Sequence, residues 1–171
     1  IPKESGLHRR FPIPYINKNR LVPQLADKFF LEGREEGTGA CPRVYQSGGR
    51  GQKNNSQPHI GFFAGCLTNY MLPNIGEASL KVLKKAGASV VIPINQHCCG
   101  MPALNMGDIE TAKALALKNI EAFEQYELDY ITTACASCSH HLKMGFKELL
   151  ADECPEKAEK FSSKVRDITE L

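Results

Sequence analysis

Residues 59–100, HIGFFAGCLTNYMLPNIGEASLKVLKKAGASVVIPINQHCCG, decide how the chain is built. Ile60 to Ala64 is a short apolar run bounded by glycine, and Ser89 to Ile94 is a second, β-branched one; runs this short between turn signals predict strands. Between them Ile75, Ala78, Val82 and Ala86 recur at helical spacing. Pro73 stands near the start of that stretch and Gly87 at its stop, which predicts a helix presenting those four residues to a core. Strand, helix and strand together make one crossover unit.

The alternation continues downstream. A helix from about Asp108 places Ile109, Ala112, Ala116, Ile120 and Phe123 on one face. Tyr130 to Ala134 is a third strand-like run. Ser137 or Ser139 is placed to cap a helix whose Leu142, Phe146 and Leu149 share a face, and Pro155 opens a last short helix with Ala158, Phe161 and Val165. The order βαβαβα predicts an α/β fold: a three-layer, parallel, Rossmann-like sheet with right-handed connections.

Upstream the character changes. Pro2, Pro12, Pro14, Pro23 and Pro42, without a helical period and with isolated apolar anchors at Phe11, Ile13 and Leu21, predict an extended strap. Gln46 to Gln57 is a polar Gly/Ser/Asn stretch too poor in apolar surface to offset the entropy of ordering, and reads as a linker. The expected division is therefore an extended N-terminal arm and linker over 1–58, and the α/β domain over 59–171.

The chain has 171 residues, a net charge of +2, 42% hydrophobic residues and seven cysteines. Its longest apolar runs fall far short of the roughly 18 residues that cross a bilayer, so no transmembrane segment is expected. Ten basic and five acidic residues lie up to Pro58, against eleven basic and fourteen acidic from His59 onward. A basic strap therefore precedes an acidic domain. With only Arg9-Arg10 adjacent and no aromatic platform, it suits acidic protein surface better than nucleic acid. The sequence starts at Ile1 with neither Met nor a leader, so a piece of a longer protein is expected.

Seven cysteines are too few for a disulfide scaffold, which carries roughly 8–10% cysteine, and the number is odd. Five follow the predicted strands: Cys66 after the first, Cys98 and Cys99 after the second, Cys135 and Cys138 after the third. In a parallel sheet these strand ends share one rim, where open α/β sheets place their ligand sites. Five thiols exceed the four that close a structural zinc site and the one per iron of a cubane cluster. Either one thiolate bridges or the cluster is not a cubane. Adjacent side chains diverge, so Cys98 and Cys99 reach two metals of a multinuclear group more readily than one ion. Gly100 is placed to let backbone approach that group closely. Cys138, at a helix start, is placed to favour thiolate. Zinc, a thioredoxin-like dithiol at Cys135 and Cys138, and plain buried thiols stand as alternatives. Cys41 and Cys154 lie outside the pattern and read as structural or exposed thiols. His97, His140 and His141 are candidates for hydrogen bonds to sulfur or for ordinary satisfied histidines. Lys81, Lys84 and Lys85 read as the solvated face of the first helix, and Asn69 and Tyr70 as residues lining the site.

The motifs Phe62-Phe-Ala-Gly-Cys66, Gln96-His-Cys98-Cys99-Gly100-Met-Pro and Thr133-Ala-Cys135-Ala-Ser-Cys138 resemble the CCG, or cysteine-rich, domain. That domain occurs in heterodisulfide reductase, in the iron–sulfur subunits of glycolate oxidase and lactate utilisation complexes, and in anaerobic glycerol-3-phosphate dehydrogenase. The resemblance spans about residues 59 to 154. The His8-Arg9-Arg10-Phe-Pro-Ile-Pro strap resembles the segment preceding the domain in the lactate and glycolate proteins. It implies a noncubane [4Fe-4S] cluster held by Cys66, Cys98, Cys99, Cys135 and Cys138. It also implies an electron-transfer domain of a multi-subunit oxidoreductase of the glycolate or lactate type. The partners implied are a flavin-containing subunit and other iron–sulfur domains, in the cytoplasm, with any membrane association on the cytoplasmic face and through partners. A heterodisulfide or thiol reductase-type catalytic domain and a zinc-stabilised interaction module are the alternatives. Ferredoxin-like cysteine runs and a second CCG domain usual in the family are not in this sequence, which again suggests a piece of a longer protein.

Overall fold

The computed structural model of the protein describes residues 25–32, 44–47 and 57–171. The strap from Pro2 to Pro23, Cys41, and most of the expected linker lie outside the described residues. The elements are β1 (Val44–Ser47), β2 (His59–Phe62), α1 (Gly65–Tyr70), α2 (Pro73–Lys85), β3 (Ser89–Pro93), α3 (Met101–Asn105), α4 (Ile109–Glu124) and β4 (Tyr130–Thr133). Then α5 (Ala136–His140) runs through a π-helical turn (His141–Gly145) into α6 (Phe146–Leu149), followed by α7 (Pro155–Ser162) and β5 (Val165–Asp167).

The strands form one sheet in the order β1-β3-β2-β4-β5. β3, β2, β4 and β5 are mutually parallel, with Ile60 opposite Val90 and Tyr130, and Ile131 opposite Val165; β1 closes one edge antiparallel to β3. The expected parallel α/β sheet is thus present with two further edge strands. β5 occupies residues read from sequence as the tail of a helix: α7 stops at Ser162, and Val165 is buried as a strand residue beside β4. Three residues are too few to show a period. Gln46 and Ser47, expected in the linker, pair with Val91 and Val90.

Side chains alternate across the parallel strands and fill two cores. Ile60, Phe62, Val90 and Ile92 face one side, with Leu80 and Leu83 of α2 and with Phe30. Phe63, Val91 and Ile131 face the other, under Ala116, Ile120 and Phe123 of α4, Leu142, Phe146, and Ala158 and Phe161 of α7. Gly61 is part of this second packing: a Cβ there would lie 2.7 Å from Leu128 and 2.9 Å from Phe123, so the helix can approach only because the side chain is missing.

Helix starts and faces were legible to different degrees. α4 begins at Asp108 as expected, and the Asp108 carboxylate caps it by accepting a hydrogen bond from the Thr111 N–H, although Ile109 is exposed. Pro73 is in the first turn of α2, and Gly87 follows it at φ +83°. The buried face of α2 is not the predicted one. Gly76, Ser79, Leu80 and Leu83 point inward, whereas Val82 is 59% exposed and Ile75, Ala78 and Ala86 face outward. Phe30 explains the rotation: its ring fills the space over Gly76, so the small residues of α2, silent in a hydrophobicity pattern, form the contact. Neither Ser137 nor Ser139 caps α5; extended Cys135 is its N-cap residue. The π turn then brings Leu142, Phe146 and Leu150 inward, with Leu149 only partly buried.

Candidate metal centre

β2 lies between β3 and β4; the connection leaving β2 packs α2 on one face of the sheet, and the helices leaving β4 pack on the other. The carboxyl edge there is the switch point at which doubly wound sheets open a crevice. Cys66 in α1 follows β2, Cys98 and Cys99 follow β3, and Cys135 and Cys138 follow β4.

The structure brings all five thiols together. Cys66 Sγ lies 4.0 Å from Cys98 Sγ, and Cys138 Sγ lies 3.6 Å from Cys99 Sγ. Adjacent Cys98 and Cys99 carry one member of each pair, and Cys135 is the N-cap residue of the helix that bears Cys138, so the five thiols line one rim from Cys66 to Cys135. Cys99 and Cys138 are 3% and 6% exposed. Cys66, Cys98 and Cys135 are only partly covered. Cys154 is the N-cap residue of α7 and packs against the second core.

Crowding and burial set the protonation of the thiols. Cys98 is raised well above the ordinary thiol value by its hydrogen bond with Cys99 and by burial. Cys99 is pushed up to about 12, first by its hydrogen bond with Cys138. Cys66 is raised by burial and by the neighbouring Cys98. Cys135 differs. Burial alone would raise it, but the backbone N–H groups of Cys138 and Ser137 and the Ser137 hydroxyl outweigh that and leave it below the usual thiol value.

The rim is held by amides and a glycine that the sequence reading did not single out. Buried Gln96 accepts a hydrogen bond from the Ala64 N–H at 2.7 Å and donates to the carbonyls of Pro93 and Phe62 at 2.7 and 3.3 Å. It thereby ties the end of β3 to the turn before Cys66. Asn119 of α4, fully buried, accepts from the His97 N–H at 2.8 Å and donates to the carbonyls of Cys98 and Leu115, each at 2.9 Å. This clamps the Cys98-Cys99 loop from behind. Its signal in the sequence is a polar residue on the apolar face of a helix, beside Ala116 and Ile120. Gly65 sits at φ +68°, and a Cβ there would come within 3.2 Å of Cys138 Sγ. It is Gly65, rather than Gly100, whose bareness keeps space beside a rim sulfur. Gly100, at φ +91°, instead packs against the backbone of Ala112.

Cys66 and Cys98 line an open cleft of about 380 Å³ with Asn69, Tyr70, His97 and Lys118. Asn69 also anchors the preceding segment: its backbone carbonyl accepts from the Phe30 N–H and its side-chain oxygen from the Leu31 N–H, both at 2.9 Å. His97 is exposed at the cleft and His140 is exposed on α5. His141 is buried edge-on against Phe146, its Nε2 finding no hydrogen-bond partner; burial, then His140, lowers its pKa.

Among the described residues, no group of three His, Cys, Asp or Glu side chains is gathered tightly enough to hold a single metal ion. The thiols form a row instead. A row of soft donors presented by three loops, with clear space beside Cys138, fits a multinuclear thiolate-ligated group better than one tetrahedral ion.

Residues 60–143 match the family model of the CCG cysteine-rich domain. An uncharacterised iron–sulfur protein of Methanocaldococcus jannaschii is 41% identical over 112 residues, 66% of this chain and 20% of that protein. A lactate utilization protein A of Shouchella clausii is 36% identical over 115 residues, 66% of this chain and 47% of that protein. A probable glycolate oxidase iron–sulfur subunit of Bacillus subtilis is 37% identical over 171 residues, 99% of this chain and 36% of that protein. The chain thus spans a fifth to just under half of these three relatives. No solved structure matches it significantly.

Proposed function

Residues 60–143 of the chain are a member of the CCG cysteine-rich domain family, and from that premise we propose that the protein is an iron–sulfur electron-transfer domain of a multi-subunit oxidoreductase. The observation that carries the reading is the set of five cysteines that three loops present at the carboxyl edge of a parallel sheet, with Cys66–Cys98 and Cys99–Cys138 in sulfur contact. The relatives named for iron–sulfur, glycolate oxidase and lactate utilization proteins support it.

In this reading Cys66, Cys98, Cys99, Cys135 and Cys138 hold a noncubane [4Fe-4S] cluster, which when bound supplies one-electron redox chemistry. Cys99 and Cys138 exclude water from one side. Gln96 and Asn119 keep the loops from splaying, and the cleft at Cys66 and Cys98 marks the side on which a redox partner approaches. That partner is a flavin-containing subunit oxidising a small hydroxy acid, with other iron–sulfur domains completing the path in the cytoplasm, docked at the membrane only through partners. Residues 59–171 form the cluster domain, and the preceding arm contributes Phe30 to its core. No helix among the described residues is long and apolar enough to cross a membrane.

Anaerobic reconstitution with iron, sulfide and competing zinc tests this. Stoichiometric iron and sulfide with a thiolate-to-iron absorption band is expected; binding of zinc alone would sink the redox reading.

A further inference from the structure

We propose that the metal-free domain is a reversible, peroxide-sensitive modification site that stores four rim thiols as two cross-loop disulfides, Cys66–Cys98 and Cys99–Cys138. The geometry divides the row into these pairs. Cys66 and Cys98 approach to 4.0 Å, Cys99 and Cys138 to 3.6 Å. Bonding requires closure to about 2.05 Å, within reach of side-chain rotation when the loops are already fixed. The two pairs share no member, and each joins loops from different strands. Cys98 and Cys99 are sequence neighbours, and a bridge between them would have to twist the intervening planar peptide. Cys135, at the outer end of the row beside the Ser137 hydroxyl at 3.7 Å, is left free.

Access sets the order. Cys66 and Cys98 open onto the cleft, which admits a molecule the size of hydrogen peroxide; Cys99 and Cys138 are buried behind them. One cleft sulfur attacks a peroxide oxygen, the O–O bond breaks, a sulfenic acid forms and one water leaves. The second sulfur displaces the sulfenic oxygen as another water, and the S–S bond forms. Two thiols and one peroxide thus become one disulfide and two waters, and a dithiol reductant reverses the change by exchange.

The fold tolerates this because the paired sulfurs already approach to 3.6 and 4.0 Å, so closing them leaves the aromatic and aliphatic packing of both cores in place, Cys99 and Cys138 included. The consequence rests on the cluster reading above: a bridged rim offers too few thiolates, so oxidation holds the site closed to cluster insertion until a reductant reopens it.

The test treats metal-free protein anaerobically with one and then two equivalents of hydrogen peroxide. Free thiols are alkylated and the linkages mapped by non-reducing digestion and mass spectrometry. The first equivalent is expected to give mainly Cys66–Cys98 and the second to add Cys99–Cys138, with Cys135 and Cys154 alkylated. Cys66→Ser should abolish the first linkage and spare the second. A predominant Cys135–Cys138 bridge, or a scrambled set, overturns the proposal. Iron and sulfide uptake by the oxidised protein should fall to background and return with dithiothreitol; undiminished uptake overturns the gating role. If the linkages form as stated but the reduced protein also takes up no iron, the pairing stands and the cluster reading fails.

Discussion

The two halves of the thiol row are held by different physics. Cys99 and Cys138 lie in the main core with Phe63, Leu142 and Phe146, fixed by close packing. Cys66 and Cys98 stand at an open cleft, where their loops are fixed by the buried amides of Gln96 and Asn119. A site that must meet something from outside cannot be covered by core, and its loops then need buried hydrogen bonds to stay in place. In the proposed function the sealed half insulates and the open half communicates.

Four measurements break or sharpen that contrast. The largest effect is expected at the sealed sulfurs. Cys99→Ser should lose most of the iron retained after anaerobic reconstitution, while Cys154→Ser retains the parent amount; equal losses would contradict the proposed ligand assignment. Next, Phe146→Ala removes a fully buried ring that stacks on Phe161 and abuts His141, and should cost about 3–5 kcal/mol in urea unfolding of the metal-free domain. Asn119→Leu should cost less, about 1–3 kcal/mol, because it leaves the partly buried His97 N–H and Cys98 carbonyl without their partner. Its effect should concentrate at the open half, read as faster amide hydrogen exchange over residues 96–99 with α7 unchanged. Uniform acceleration would show that Asn119 serves the core and not the loop.

The smallest effect is a pH dependence at His141. Its buried ring is neutral in the fold, so the unfolded chain binds the proton first as pH falls. The stability this residue supplies is complete above its ordinary value of 6.5 and declines as pH drops through and below it. His141→Phe keeps an aromatic ring against Phe146 and should flatten the decline in thermal midpoint between pH 7 and pH 5. An unchanged slope would assign the effect to other groups.

Much of the fold was legible because its signals are local. Pro73 and Gly87 each announce a helix boundary within a few residues, the apolar period from Asp108 onward marks α4, and the apolar runs at Ile60, Ser89 and Tyr130 are strands. What escaped was set at a distance. The predicted stripe of α2 is as regular as the real one, but a remote phenylalanine, Phe30, chose between them by packing over Gly76. β5 is too short to carry a period and exists through its pairing with β4.

The same boundary runs through the candidate site. By itself the sequence determined how many candidate soft ligands there are, and that they fall just after three successive strands, because strand ends and loop spacing are local matters. Only the tertiary structure decided which sulfur meets which, that two are sealed and the others partly open, and that Gln96, Asn119 and Gly65 hold the space. Contacts between loops from different strands depend on how the strands are ordered and how far each loop is pulled in by side chains remote in the chain. No spacing along the sequence contains that distance.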